Sequence, residues 1–357
     1  GLTTGRGEVT ASAVEMAHSD GSAPAGKRES RPPKGPALRS VVPRGHPAAV
    51  SSSTPSRLQT DGRFFRIGGQ RVFLKAVTFG PFPPDARLDP ADEFPRIAAA
   101  GFNAIRTYDT PRKELLDTAY FHGLTVLAGV PWEWSRDFVY HPRFLSEGET
   151  RLLQFLKKFR DHPALGALFI ANEIPSELVR WMGPLKVRHR LEELIETCRG
   201  VAPGLPLAYA NYPTTEYLEP GNADFTACNV YLEDREAFRQ YLPRLQNIAG
   251  DRPVLLSEFG LDTIRNDETH QAEVLGWHLA EAIAAGIAGT TVYSWSDRWA
   301  DGGTEISDWA FGLTRRDRSA KPALETLSST LPQIVTHRDQ LVLENPPRIS
   351  VIAVSYT

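Results

Sequence analysis

Two glutamates each close an apolar run: Glu173 in Phe169-Ile-Ala-Asn172-Glu173-Ile-Pro175, and Glu258 in Val254-Leu-Leu-Ser-Glu258-Phe-Gly260. Such runs read as buried strands, and a carboxylate is costly there unless it is paired or used. Two carboxyls facing one another across a cleft are the apparatus of glycoside cleavage, one attacking or activating water while the other moves a proton. Either glutamate could instead pair with a nearby arginine in a purely structural role. The elements that carry them decide whether they meet.

The run from Arg63 to Ile67, the pair Gly68-Gly69 and the run from Arg71 to Val77 read as a β-hairpin with a two-residue glycine turn. Short apolar strands then alternate with amphipathic helices. Strands are expected over residues 72–79, 102–108, 125–131, 165–172, 206–211, 225–232, 253–259 and 290–295. Most are near-continuous apolar runs, as strands covered on both faces should be. Helices are expected over 91–100, 111–122, 143–160, 185–199, 235–249 and 270–285, with a last one after Pro322. Gly101, Gly123, Gly200, Gly250 and Gly286 stand at their stops. The segment between the fifth and sixth strands is short, so its helix is the weakest. Eight such alternations predict a (β/α)8 TIM barrel over 61–335. A doubly wound sheet would bring a glycine-rich dinucleotide turn after its first strand, and the sequence has none.

The 357 residues carry a net charge of −3, with 41% hydrophobic and 23% charged residues. This balance gives no reason to expect nucleic acid as a partner. No apolar stretch of about 18 residues predicts a membrane span. Cys198 and Cys228 form no metal-type spacing, and a reduced, cytoplasmic compartment is the simpler expectation. No phosphate loop, nucleophile elbow or metal-binding pair points to a cofactor or a metal.

In barrels of this kind, catalytic groups sit where the strands end. Glu173 ends the fourth strand and Glu258 the seventh, across the mouth from one another. The segments Asp161-His-Pro-Ala-Leu165, Ile170-Ala-Asn-Glu173, Leu255-Leu-Ser-Glu-Phe-Gly260, Tyr293-Ser-Trp295, Trp309-Ala-Phe-Gly-Leu313 and Lys321-Pro-Ala-Leu324 occur in this order. The ordered set resembles clan-A glycoside hydrolases, closest to the barrel domain of family 2, with family 5 as a bare-barrel relative. The resemblance covers roughly 61–331. It implies that Glu173 is the general acid/base and Glu258 the nucleophile of a retaining β-glycosidase or transglycosylase acting on an oligo- or polysaccharide. Asn172 would bond the hydroxyl beside the reacting carbon. Arg106 would sit next to the nucleophile, where a cation favours the charged form of a carboxylate. Tyr231 would steady the same carboxyl, and Trp295 would form an aromatic platform under the sugar. Trp132 and Asn211, at the ends of the third and fifth strands, are further candidates for sugar contact. Trp134 could line a subsite and Asp297, Trp299 and Asp301 could contact hydroxyls, but these residues, with Tyr212 and Asp109, read first as loop structure. His162, at the opposite end of the barrel, reads as a structural hydrogen-bonding residue.

Residues 1–60 mix Pro, Ser, Gly, Ala and Arg without periodicity and read as a disordered arm. Family 2 enzymes usually carry β-sandwich domains ahead of the barrel, so the sugar is not carried over from them. In the stretch 336–357, Ile349-Ser-Val-Ile-Ala-Val-Ser-Tyr356 follows a Pro-Pro linker. It resembles the opening strand of family-2 glycosyltransferases, implying an attached glycosyltransferase domain. An edge strand packed on the barrel is the other reading. With such an attachment, the rival function is a non-catalytic carbohydrate-binding barrel serving a synthase.

Overall fold

The computed structural model describes residues 57–86 and 88–334. The expectations for the N-terminal arm, apart from its last four residues, and for the glycosyltransferase-like tail lie outside the described residues. Three short strands come first: β1 (Gln59–Asp61), β2 (Phe64–Ile67) and β3 (Gln70–Val72), paired antiparallel in that order. Gly68 and Gly69 connect β2 to β3 with φ of 62° and 77°. That is the two-residue left-handed geometry that matches the twist of a hairpin. The expected hairpin is present, and β1 adds a third strand.

Eight parallel strands then close a barrel: β4 (Leu74–Thr78), β5 (Ala104–Arg106), β6 (Thr125–Gly129), β7 (Leu165–Asn172), β8 (Leu207–Asn211), β9 (Thr226–Asn229), β10 (Val254–Phe259) and β11 (Gly289–Val292). β11 pairs with β4 from Gly289↔Leu74 to Val292↔Val77, leaving no edge in the barrel. Its interior is alanine-rich, with Ala76, Ala104, Ala167, Ala208, Ala210 and Ala227 facing one cluster. Phe65, Phe169 and Phe225 fill the space those small residues leave, with Phe225 5.4 Å from Phe65 and 5.9 Å from Phe169. Because Phe65 belongs to β2 and Phe225 precedes β9, the three-stranded sheet plugs the end of the barrel where the strands begin. The other end stays available for chemistry.

The outer layer comprises α1 (Pro90–Ala99), α2 (Lys113–Phe121), α3 (Arg143–Phe159), α4 (Ser176–Met182), α5 (Pro184–Val201), α6 (Arg235–Ala249), α7 (Glu268–Ala284) and α8 (Pro322–Thr330). The Asp89, Asp234 and Asp267 side chains accept from the first-turn amides of α1, α6 and α7. Two points differ from expectation. The helix between the fifth and sixth strands is only a 3₁₀ segment (Pro213–Leu218). The crossover after β7 holds two helices, and the second runs through Gly200. Among the described residues, no helix is long and apolar enough to cross a membrane.

Candidate active site

Four strands deliver the polar groups of the open end. β5 ends on Arg106, β7 on Asn172 with Glu173 next, β9 on Asn229, and Glu258 is the penultimate residue of β10. Arg106 is 1% exposed, and its guanidinium organises the floor. Nη1 donates to Glu258 Oε1 at 2.8 Å, to the Ser257 carbonyl at 2.6 Å and to Asn229 Oδ1 at 3.2 Å. Nη2 donates to Asn172 Oδ1 at 2.7 Å. A planar fork suits this role because it reaches several acceptors at fixed angles.

The Glu258 carboxylate also receives two phenols. Tyr108 donates to Oε1 at 2.5 Å and Tyr231 to Oε2 at 2.7 Å. Desolvation by the surrounding protein and the charge of Glu258 hold both phenols well above their ordinary pKa, so they remain donors. Tyr231 keeps 37% of its surface exposed, and for it the charge of Glu258 is the firmer cause.

Glu173 has one side-chain donor, Asn229 Nδ2, at 2.9 Å. Burial, reinforced by the negative charge of Glu258, pushes its carboxyl up to about 7 against that hydrogen bond and the Arg106 charge. Its backbone has φ of 43°, in the left-handed region that side chains other than glycine rarely adopt. Neighbours hold it there: Glu173 N donates to the Ala210 carbonyl, and Ile174 N to the buried Tyr209 hydroxyl, both at 2.9 Å. Residues kept in sparsely populated backbone regions cluster at functional sites.

Beyond the strand ends, a long excursion after β11 carries a two-stranded ribbon, β12 (Ala300–Asp301) and β13 (Thr304–Glu305). It brings Trp299 to 4.8 Å from Tyr293 and 5.6 Å from Tyr108, between ring centroids. Phe311 stands 5.9 Å from Tyr231 and 5.4 Å from Tyr293, extending the aromatic wall. A buried ion pair anchors the excursion: Lys321 Nζ donates to Asp297 Oδ1 at 2.8 Å, and that oxygen also accepts from Gly312 N at 2.8 Å. Gly260 lets the Tyr293 carbonyl pass close by, since a Cβ there would lie 2.3 Å from it.

Five expected residues converge: Glu173, Glu258, Arg106, Asn172 and Tyr231. Three others are placed elsewhere. Trp295 is fully buried, its indole N–H bonded to Glu93 Oε2 on α1 at 2.8 Å and its ring 5.6 Å from the Arg96 guanidinium. It packs in the strand–helix layer and presents no face to a sugar. Trp132 is 6% exposed, donates to the Ile170 carbonyl at 2.7 Å and lies against Gly148 of α3. Its neighbour Trp134 is the one that lines a crevice with Arg106, Tyr108, Phe169 and Asn172. Asn211 Oδ1 accepts from Tyr212 N and Thr215 Oγ1, each at 2.9 Å, and so secures the 3₁₀ segment. His162 bonds Asp117 at 3.1 Å, a structural contact as expected.

Sequence reasoning missed Tyr108, Asn229, Tyr293 and Phe311, and read Trp299 first as loop structure. A period-2 signal was available for the first two: Tyr108 follows Arg106, and Asn229 precedes Tyr231, by two residues. Among the described residues, no group of three or more His, Cys, Asp or Glu side chains could hold a metal ion.

No protein-family model matches this chain, and no curated protein matches it. Solved structures do. A β-glucuronidase of Faecalibacterium prausnitzii superposes with a TM-score of 0.68 at 19% identity, covering 78% of this chain and 52% of that one. The Bifidobacterium dentium β-glucuronidase complexed with coumarin-3-O-glucuronide gives 0.67 at 18%, covering 79% and 50%. A GH2 β-galacturonidase from Eisenbergiella tayi gives 0.67 at 17%, covering 80% and 55%. The chain thus spans about half the length of these neighbours. At such identities they establish the (β/α)8 barrel fold, and the family named for the last is the one the ordered motifs resemble.

Proposed function

We propose that this chain is a retaining β-glycoside hydrolase or transglycosylase acting on a β-linked oligo- or polysaccharide. The carrying observation is one hydrogen-bonded network that joins both glutamates yet treats them differently. Glu258 accepts from Arg106, Tyr108 and Tyr231, while Glu173 has a single side-chain donor and a carboxyl raised to about 7. A carboxyl kept protonated beside one held by three donors suits the pair to the roles of acid and nucleophile.

In the first step a Glu258 oxygen attacks the anomeric carbon. The bond to the leaving oxygen breaks, and Glu173 gives that oxygen its proton. A glycosyl ester on Glu258 results. In the second step Glu173, now a carboxylate, takes a proton from water or from an acceptor hydroxyl. The freed oxygen attacks the same carbon and releases Glu258, with net retention. Asn172 offers its amide N–H to the neighbouring sugar hydroxyl, because its Oδ1 already serves Arg106 and Asn229. Phe311, half-buried beside Tyr231, supplies the aromatic surface first expected of Trp295. A purely sugar-binding barrel would have no use for a strained, proton-holding Glu173.

The test is trapping. A 2-deoxy-2-fluoro β-glycoside with an activated leaving group should label the protein once, and peptide mass spectrometry should place the label on Glu258. A label on any other residue refutes the assignment.

A further inference from the structure

Outside the carboxylate network, the loop after β6 and the helix after Glu173 raise aromatic side chains into water at the same end of the barrel. Trp181, on α4, is 71% exposed, and Tyr140 is 53% exposed. Both are fixed in place. Trp181 Nε1 donates to Asp137 Oδ2 at 3.0 Å, and Tyr140 N donates to Asp137 Oδ1 at 2.9 Å. Lys186, across the Gly183 turn, donates to the Tyr140 hydroxyl at 2.9 Å and sits 4.8 Å from that ring centre. Leu185, beside it in sequence, is 80% exposed. The Asp137 side chain is only 15% exposed, so one carboxylate ties two loops together while the rings stay wet.

Exposed rings gathered into one patch with a polar rim, as Trp181 and Tyr140 are around Asp137, mark a binding surface. With the indole N–H already used, the ring itself is what Trp181 has to offer, and Asp137 and Lys186 give it a polar rim. That mixture suits a sugar, whose C–H faces stack on rings while its hydroxyls seek polar groups. Position selects which part of a glycan would lie there. α4 begins three residues after Glu173, the group that protonates the leaving oxygen, so its loop flanks the leaving-group side of the scissile bond.

We propose that Trp181, pinned by Asp137 and flanked by Tyr140, is a subsite for sugar units beyond the leaving oxygen, which makes the substrate a glycan chain rather than a small aryl glycoside. The inference rests on the glycosidase reading, and its test separates the two. Wild type and Trp181→Ala are assayed on aryl β-glycosides and on cello-, laminari-, manno-, galacto- and chito-pentaose with their disaccharides. Wild type is expected to cleave one pentaose at least tenfold more efficiently than its disaccharide. Trp181→Ala should lower the ratio of pentaose to aryl kcat/KM by tenfold or more, mainly through KM. Asp137→Ala should reproduce part of that loss by unpinning the indole. An unchanged ratio, or no preference for the longer chain in wild type, overturns the subsite while leaving the glycosidase intact. A shift of Trp181→Ala from dimer to monomer in sedimentation, with the ratio unchanged, would make the surface a protein contact and also overturn it. No turnover of any substrate would refute the glycosidase reading itself, and the subsite with it.

Discussion

Replacing Glu173 by Gln tests the division of labour at the site through two independent readouts. With its carboxyl at about 7, Glu173 is about nine-tenths protonated at pH 6 and about one-tenth at pH 8. The wild-type kcat/KM should therefore fall about tenfold over that interval. Glu173→Gln keeps the shape and the Asn229 contact but carries no transferable proton. It should lose about 10²–10⁴-fold on substrates with poor leaving groups such as sugars. It should lose far less on a dinitrophenyl glycoside, which departs unprotonated, and its alkaline limb should vanish. Equal losses for both leaving groups, or an alkaline limb that survives the substitution, would refute the assignment.

The second readout is stability. The folded pKa of Glu173 lies above the ordinary 4.5, so the unfolded chain gives up its proton first as pH rises. Native stability then declines between about pH 4.5 and 7 and is level above that. A shift of this size corresponds to at most about 3 kcal/mol. The side chain is half-buried, so solvent screening leaves the effect smaller. Denaturant melts should show Glu173→Gln gaining on wild type as pH rises from 4.5 to 8. Parallel curves would mean that the carboxyl is not destabilised as its surroundings imply.

Two further outcomes follow from other buried and paired groups. His278 of α7 is fully buried, donates Nε2–H to the Leu232 carbonyl at 2.8 Å, and burial lowers its pKa to about 4. Between pH 6.5 and 4 the unfolded chain binds a proton that the native one refuses, which removes about 3 kcal/mol of stability; His278→Gln should flatten that decline in urea melts, and an unaltered decline would refute the cause. At the site, Arg106 is engaged by Glu258, Lys321 by Asp297, and Arg298 by Asp85 and Glu305. A neutral aryl β-glycoside should therefore turn over faster than the matching β-glucuronide, and the opposite ranking would show that another cation receives the uronate.

The barrel was legible because its strands are covered on both faces and its helices end in strong stop signals. Eight apolar runs could be counted, and counting placed Glu173 and Glu258 at the fourth and seventh strand ends. Arg106 and Asn172 close their strands, but their roles, like that of Tyr231 two residues past β9, came from the ordered motifs that the chain shares with clan-A glycoside hydrolases. Trp295 was not. β11 stops at Val292, and past that point alternation no longer says which way a residue faces, so a tryptophan three residues on could enter the outer core. Trp132 and Asn211 stand just past or at strand ends and are taken up structurally, Trp132 by the Ile170 carbonyl of β7 and Asn211 by the Thr215 hydroxyl of the following 3₁₀ segment. Phe311 was hidden by distance in sequence, since a long excursion held by Lys321 and Asp297 brings it back.

The two carboxyls differ in neighbours, not in kind. Arg106 reaches both, binding Glu258 directly and Asn172 and Asn229 through their side-chain oxygens, while Asn229 in turn donates to Glu173. Moving charge from Glu258 to a glycosyl ester would remove the repulsion that helps hold Glu173 protonated. Glu173 would then ionise more readily after the first step, when the mechanism needs it as a base. On the proposed mechanism, the same coupling that favours the acid form before attack would ready Glu173 to activate water or an acceptor sugar afterwards.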